Sequence, residues 1–357
     1  MGIRKIQLSD FRNIKKSTFE FSEGVTVIVG PNASGKTNIL ESLFVLSSGK
    51  SFKARIEEEM IGYNSSMTRI TGITNNLKLE TILTRGNGDW PRKKLMVNGV
   101  PKRLVDFAGN FKVTLFGPWD MDLVTESPSL RRKFMDMVLS QIDREYRRAI
   151  LSYEKGLRQR NKLLYRIREE GVSRSQLLFW DKLLIKNGNY ISSARQNLID
   201  FVNATGGLND QEFNLTYDSS AISQGRLEQY IDEEVASATT LVGPHRDDFL
   251  FKVKEQESKR VKERNLATYG SRGEQRMGVL WLKLAELAFV EAKTGEKPTL
   301  LLDDILSELD HEHRKVVIKV LGRQQTIITT ADEHFIKGFK SGKRSLPLRG
   351  KIKVISL

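Results

Sequence analysis

The chain contains no cysteine. Disulfides and thiolate metal sites are therefore excluded, and a reducing cytosol is an acceptable compartment. No apolar run approaches the ~18 residues of a membrane helix, and the opening MGIRKIQLSDF lacks the apolar core of a secretory signal. MGIRKI begins like a myristoylation signal but carries Ile6 where Ser or Thr is required. No repeat of roughly 20–50 residues is evident, and no heptad array is long enough for a coiled coil. Acid is the scarcer charge, with 44 Asp and Glu against 58 Lys and Arg, a net +14. That imbalance favours a polyanionic partner, either nucleic acid or an anionic membrane surface. What remains fits a soluble globular protein of two or three domains: 357 residues, 39% hydrophobic and 29% charged.

Along the chain the periodicity changes several times. IRKIQLSDF alternates and GVTVIVG is a short β-branched run, so residues 1–30 are predicted to be strands. TNILESLFVLSSG has helical spacing and a glycine stop. Residues 67–115 return to alternation, with Asn98-Gly99 as a hairpin turn. From Ser127 to about Asn203 apolar residues recur every three to four positions in a highly charged background, which predicts helices. Residues 211–266 are mixed. A turn and an amphipathic helix follow in ATYGSRGEQRMGVLWLKLAELAFVEA, and TLLLDD and QTIITTAD read as buried strands.

GPNASGKTN (Gly30 to Asn38) fits the pattern G-x-x-x-x-G-K-[ST] between a strand and a helix. Glycines at Gly30 and Gly35 let backbone N–H groups turn toward an anion at a helix N-terminus. Pro31, Asn32, Ala33, Ser34 and Asn38 complete the cradle. Lys36 is the cation for the β- and γ-phosphates of ATP, and Thr37 the hydroxyl for Mg²⁺. In TLLLDD, Asp303 is placed to hold Mg²⁺ and Asp304 to orient or deprotonate the attacking water. Taken alone, those acids read equally well as a helix cap. YGSRGEQR places Ser271, Gly273 and Gln275 at the start of a long helix. There they would present a hydroxyl and a backbone N–H to an anion, or form an ordinary Ser/Gly cap with Glu274 in the first turn. Arg12 and Asn13 would reach the nucleotide from the first strand turn, or belong to a β-turn over a packed Phe11.

Phosphate loop, Ser-Gly loop, Asp-Asp strand and SELD (Ser307 to Asp310) follow the order of ABC-type ATPase heads, which they resemble. In such heads the signature loop of one subunit caps the nucleotide held by the other. More narrowly, the chain resembles the RecF family of bacterial recombination-mediator ATPases over nearly its whole length. The likeness lies in LSDFRN (from Leu8), SFKAR (from Ser51), GPWDMDLVTESPSLRRKFMD (from Gly117), YEKGLRQRN (from Tyr153), WDKLL (from Trp180), GPHRDD (from Gly243) and LLDDILSELD (from Leu301). The resemblance implies an α/β, ABC/SMC-like P-loop ATPase head folded from both chain ends, with an inserted, mostly helical lobe. The expected parts are 1–118 and 226–357 for the head and 119–225 for the lobe, with short helices where coiled-coil relatives carry a long hairpin. It also implies ATP-dependent homodimerisation on DNA at single-strand gaps, slow hydrolysis, and cooperation with RecR and RecO in loading RecA. Roles in repair, replication restart and the SOS response, a cytoplasmic location and no membrane partner go with it.

Three features depart from general ABC heads or stay open. Asp304 stands where a Glu is usual, one methylene shorter, which suits a slow switch. TTADEH (Thr329 to His334) has no histidine directly after the strand, so Thr329 or Thr330 is expected in its place. A glutamine-loop equivalent is not evident, with Gln141 a weak candidate in a helical run. Residues 131–168 carry twelve Lys or Arg and four acids, either a phosphate-tracking stripe or a solvated face. GPHRDD reads as a structural turn near the nucleotide, with Arg246 its most useful charge. KIKVIS near the C-terminus reads as an edge strand guarded by lysines. Two rivals stand beside the leading reading: a transporter nucleotide-binding subunit, and an SMC-like repair nuclease, for which there is little room.

Overall fold

A computed structural model describes residues 2–86, 92–257, 260–309, 311–332 and 352–357. By internal contacts the chain divides into two units, residues 1–120 with 286–357, and residues 121–285. Residues 226–285, grouped with the head in the sequence reading, fall by contacts in the second unit.

The first unit holds two sheets. One has six antiparallel strands in the order Ile14–Glu20, Ile3–Phe11, Met67–Thr74, Lys78–Thr84, Lys93–Val97 and Val100–Lys102. Its last hairpin turns at Asn98-Gly99, both at positive φ, as the two-residue turn requires. The other sheet is parallel and has five strands, in the order Lys353–Ser356, Val25–Val29, Thr326–Thr330, Thr299–Asp303 and Val113–Phe116. Parallel strands covered on both faces should be apolar throughout, and Val25–Val29, Thr299–Asp303 and Thr326–Thr330 are buried at every position. Lys353–Ser356 is the edge strand expected there.

Helix Lys36–Ser48 touches strands of both sheets and is buried from Ile39 to Ser47, which explains its apolar residues on all sides. It stops at Gly49, whose φ of 70° is left-handed and costs glycine nothing. Far from the phosphate loop in sequence, Gln325 ties the two sheets. Its Oε1 accepts from the Ile3 N–H (2.8 Å) and the Thr299 hydroxyl (3.0 Å), and its Nε2 donates to the Ile3 and Ser22 carbonyls (2.7 and 2.8 Å).

The second unit is mostly helical. Helix Pro128–Ile142 leads into Arg144–Glu170 and Leu178–Asn203, which pack against each other. At 27 and 26 residues the last two are longer than the short helices expected there. Asp143 caps the first of this pair, and Gly171, at φ 67°, ends it. Beside them stands a three-stranded antiparallel sheet, Arg260–Asn265, Asp248–Glu257 and Glu212–Asp218. Helix Arg272–Thr294 begins in this unit.

Candidate functional site

Strand Val25–Val29 delivers the chain into the loop Gly30–Gly35, and the helix starts at Lys36. Ala33 (φ 65°) and Gly35 (φ 101°) both take left-handed backbone within this turn. Such a conformation at a non-glycine residue costs on the order of 1 kcal/mol and persists where the surroundings hold it. Its effect is to turn successive N–H groups toward one concavity at a helix N-terminus, which is an anion seat. The Lys36 ammonium crosses the loop and donates to the Gly30 and Pro31 carbonyls (2.7 and 2.8 Å). An ammonium has three donors, so a third remains for a ligand oxygen.

Thr37, next in the helix, donates its hydroxyl to Asp303 Oδ1 at 3.1 Å across 266 positions of sequence. The same oxygen accepts from the Thr329 hydroxyl at 2.6 Å. This contact exists because the parallel sheet sets the strand ends Val29, Thr330 and Asp303 side by side. Asp303 is only 4% exposed. Burial pushes its pKa above the usual carboxylate range and the neighbouring Asp304 adds to the rise, against the opposing hydrogen bonds from Thr329 and Thr37 and the charge of Lys53. A dry carboxylate beside a hydroxyl is a two-oxygen seat for a hard divalent ion that keeps its waters and a phosphate oxygen as further ligands. No cluster of three or more His, Cys, Asp or Glu suited to a metal occurs among the described residues.

Asp304 sits at φ 49°, left-handed, and its N–H donates to the Thr329 hydroxyl and carbonyl (3.1 and 3.2 Å). It occupies the N-cap position of helix Ile305–Glu308, as the helix-cap alternative had it, but its side chain makes no cap hydrogen bond there. Of the two threonines offered in place of the strand-end histidine, Thr329 holds Asp303, while the Thr330 hydroxyl accepts from the Asp332 N–H. His334 and Asp310 lie outside the described residues.

Arg12 and Asn13 approach the loop from the turn after strand Ile3–Phe11. Arg12 grips Glu41 with Nε and Nη2 (2.9 and 2.6 Å) and donates from Nη1 to the Glu59 carbonyl (2.7 Å). Glu41 is fully buried in helix Lys36–Ser48 and also accepts from Ser51. Asn13 donates to the Ala33 carbonyl (3.4 Å) and accepts from Asn38 (2.8 Å). A Cβ at Gly35 would stand 3.1 Å from Asn13 Oδ1, so the loop and this turn fit closely. Phe11 is fully buried, as the β-turn alternative required.

Ser271, Gly273 and Gln275 belong to the second unit. Ser271 forms a reciprocal cap with Glu274: its hydroxyl accepts from the Glu274 N–H (3.3 Å) and its N–H donates to Glu274 Oε2 (2.8 Å). Burial of Glu274 is outweighed by these bonds and by Arg264, and its pKa is lowered. The Ser271 hydroxyl, exposed, still has its own hydrogen to donate. Gln275 Nε2 bonds the Leu266 and Gly270 carbonyls (3.2 and 3.3 Å), which fixes the approach to the helix.

Lys53 went unassigned in the sequence reading, yet its charge acts on Asp303. The only hint was its place in SFKAR. GPHRDD lies in the second unit, where its acids matter more than Arg246. Asp247, fully buried, accepts from Arg195 (3.0 Å), Tyr217 and the Ser220 N–H (2.8 Å), and Asp248 pairs with Arg131 (2.6 Å). Gln141 is 3% exposed in helix Pro128–Ile142 of the same unit.

The family model described as the RecF/RecN/SMC N terminal domain matches residues 2–345. The DNA replication and repair protein RecF of Herpetosiphon aurantiacus is 34% identical, over 93% of this chain and 94% of the relative. That of Ligilactobacillus salivarius is 35% identical, over 92% and 91%. Among solved structures, the recombination mediator protein RecF with ATP, of the RecFOR pathway, superposes with a TM-score of 0.82 at 32% identity, over 93% of this chain and 92% of that one. An SMC head domain from Pyrococcus furiosus shares the fold at 16% identity, with a TM-score of 0.50. Matches of this identity and coverage, on a phosphate loop joined to an Asp-Asp strand, show that the chain belongs to the RecF family of ABC/SMC-like ATPase heads.

Proposed function

We propose that the chain is an ATP-driven, DNA-binding switch of recombinational repair. The observation that carries this reading is the Thr37–Asp303–Thr329 connection, which joins the two distant parts of one nucleotide site. In this reading Gly30 to Asn38 cradle the phosphates of ATP and Lys36 meets the β- and γ-oxygens. Thr37 and Asp303 would hold Mg²⁺, which would neutralise charge on the transferring phosphoryl group. Asp304 orients a water for attack on the γ-phosphorus and takes its proton as the bond to ADP breaks. Arg12 and Asn13 brace the loop through Glu41 and the Ala33 carbonyl. Ser271, Gly273 and Gln275 cap the nucleotide held by a second copy, so ATP joins a homodimer and hydrolysis releases it.

On this account the dimer assembles on DNA at single-strand gaps and works with RecR- and RecO-type mediators to load RecA. That work would serve repair, replication restart and the SOS response in the cytoplasm. Family membership supports this role over a transporter subunit. The first test is Lys36→Ala: calorimetry should show loss of tight ATP binding, and unchanged affinity would remove the loop from the site. Asp304→Asn should keep ATP affinity within about threefold while single-turnover hydrolysis falls at least tenfold. A parent-like rate would exclude Asp304 as the base.

A further inference from the structure

The six-stranded antiparallel sheet of the first unit packs one face under helix Lys36–Ser48 and leaves the other open. Side chains alternate between the two faces along each strand. Leu8, Ile70, Leu83 and Leu95 are buried on the helix side. On the open side the register defines one row across five strands. Lys16 stands opposite Ser9, Ser9 opposite Arg69, Arg69 opposite Ile82, and Ile82 opposite Lys94. Residues directly opposite share a face, so three cations on alternate strands point the same way. All three are exposed. With strands ~4.8 Å apart they stand about 10 Å from one another, in a row about 19 Å long.

Charge on this face is sorted. Two acids occur at the outward positions of these strands, and both are answered where they stand. Glu20 pairs with Lys5 (3.9 Å) and Lys353 (3.7 Å). Glu80 pairs with Lys78 (3.4 Å) and accepts from the Thr71 hydroxyl (3.4 Å). The side chains of Lys16, Arg69 and Lys94 make no ion pair or hydrogen bond among the described residues. Cations left unanswered in a straight row suit an anion that repeats along a line. A DNA duplex is a rigid one, with a phosphate every ~3.4 Å of axis on each strand, so roughly five or six pass along the row. A single strand would add stacking of its bases, but no aromatic side chain stands at the outward positions of these strands among the described residues. An acidic peptide would draw affinity from main-chain pairing. The middle of the row lies on interior strands, whose main chains are already paired on both sides.

We infer that the open face of this sheet holds the phosphate backbone of duplex DNA on Lys16, Arg69 and Lys94, without reading its sequence. This rests on the DNA-binding reading above and adds to it the strand type and the place. The test is fluorescence anisotropy of the full chain on a short duplex, with a slowly hydrolysed ATP analogue, across a salt series. Arg69→Gln should lower the slope of log affinity against log salt by about 0.9 per bound chain, and Lys16→Gln, Arg69→Gln and Lys94→Gln together by about 2.7. Arg69→Lys should keep the parent slope. Lys5→Gln removes the same charge from the same face, but out of an ion pair, and should change the slope by less than about 0.3. The losses should be equal on duplexes of unrelated sequence, because backbone contacts carry no base information. ATP affinity and thermal midpoint should match the parent in each variant. A parent-like slope in the triple variant, or as large a fall in Lys5→Gln, would overturn the site. So would an equal loss of binding to poly-L-glutamate, which would mark the row as a seat for acidic protein segments. A parent chain that binds no duplex at any salt would instead overturn the DNA-binding reading beneath it.

Discussion

Asp303 concentrates the chemistry of the first unit in one carboxylate. Two hydroxyls converge on it, burial raises its pKa, and one cation, Lys53, answers its charge at longer range. A raised pKa in an acid means the folded state disfavours the ionised form, so without a bound cation the charge at neutral pH destabilises the fold. Relief comes as pH falls through the folded pKa, or when the charge is removed. Asp303→Asn keeps an oxygen acceptor for Thr37 and Thr329 while deleting the charge. The nucleotide-free variant should therefore melt about 1–3 °C above the parent at pH 7, while Mg²⁺-dependent hydrolysis is lost. Calorimetric melting in the absence of nucleotide and metal checks this, and a lower midpoint would mean that the ionised carboxylate stabilises the site. Function here opposes stability, as strained or charged sites commonly do.

At the scale of elements, the short turn Pro244–Arg246 organises the second unit. His245 bonds the Tyr153 hydroxyl through Nδ1 (2.8 Å) and the Thr240 carbonyl through Nε2 (3.0 Å). A carbonyl only accepts, so Nε2 carries a hydrogen, and in the neutral ring Nδ1 accepts from the Tyr153 hydroxyl. Burial lowers the pKa of His245 from 6.5 to about 4. Unfolded chains bind the proton first, so stability is complete above about pH 6.5 and declines as pH falls toward 4. About 3 kcal/mol should be lost over that window. Urea unfolding across it should show a slope that His245→Gln reduces; an identical slope in both proteins would show that another group titrates. The sequence marked GPHRDD as a structural turn but picked its exposed arginine, because burial and pairing of Asp247 depend on helices far away in the chain. The same limit applied to residues 131–168, where charges can be counted but not aimed: Arg131 and Arg160 are interior ion-pair partners, whereas Arg158 and Lys162 face out. Phosphate loop, Asn98-Gly99 hairpin, Asp-Asp strand and edge strand were legible because each rests on local periodicity or turn chemistry. Lys53 and the Gln325 tie were not, since each gains its meaning from a partner hundreds of residues away or across a sheet.

For the whole molecule, the central claim is that one site needs two chains. The phosphate loop and Asp303 lie in the first unit and Ser271 in the second. Within its own chain Ser271 already forms a complete helix cap, so a cap alone would explain its presence. The account asks more of it, contact with the γ-phosphate held by the partner's loop. Ser271→Arg should leave ATP binding by the monomer intact, because its own Lys36 is whole, and should block ATP-driven dimerisation. Lys36→Met should fail to dimerise for the opposite reason. Mixed together, the two variants can form one complete site, with Lys36 from the first chain and Ser271 from the second. Sedimentation velocity with a slowly hydrolysed ATP analogue measures all three samples directly. The account predicts monomers for each variant alone and a nucleotide-dependent dimer in the mixture. A Ser271→Arg chain that dimerises as well as the parent would contradict it.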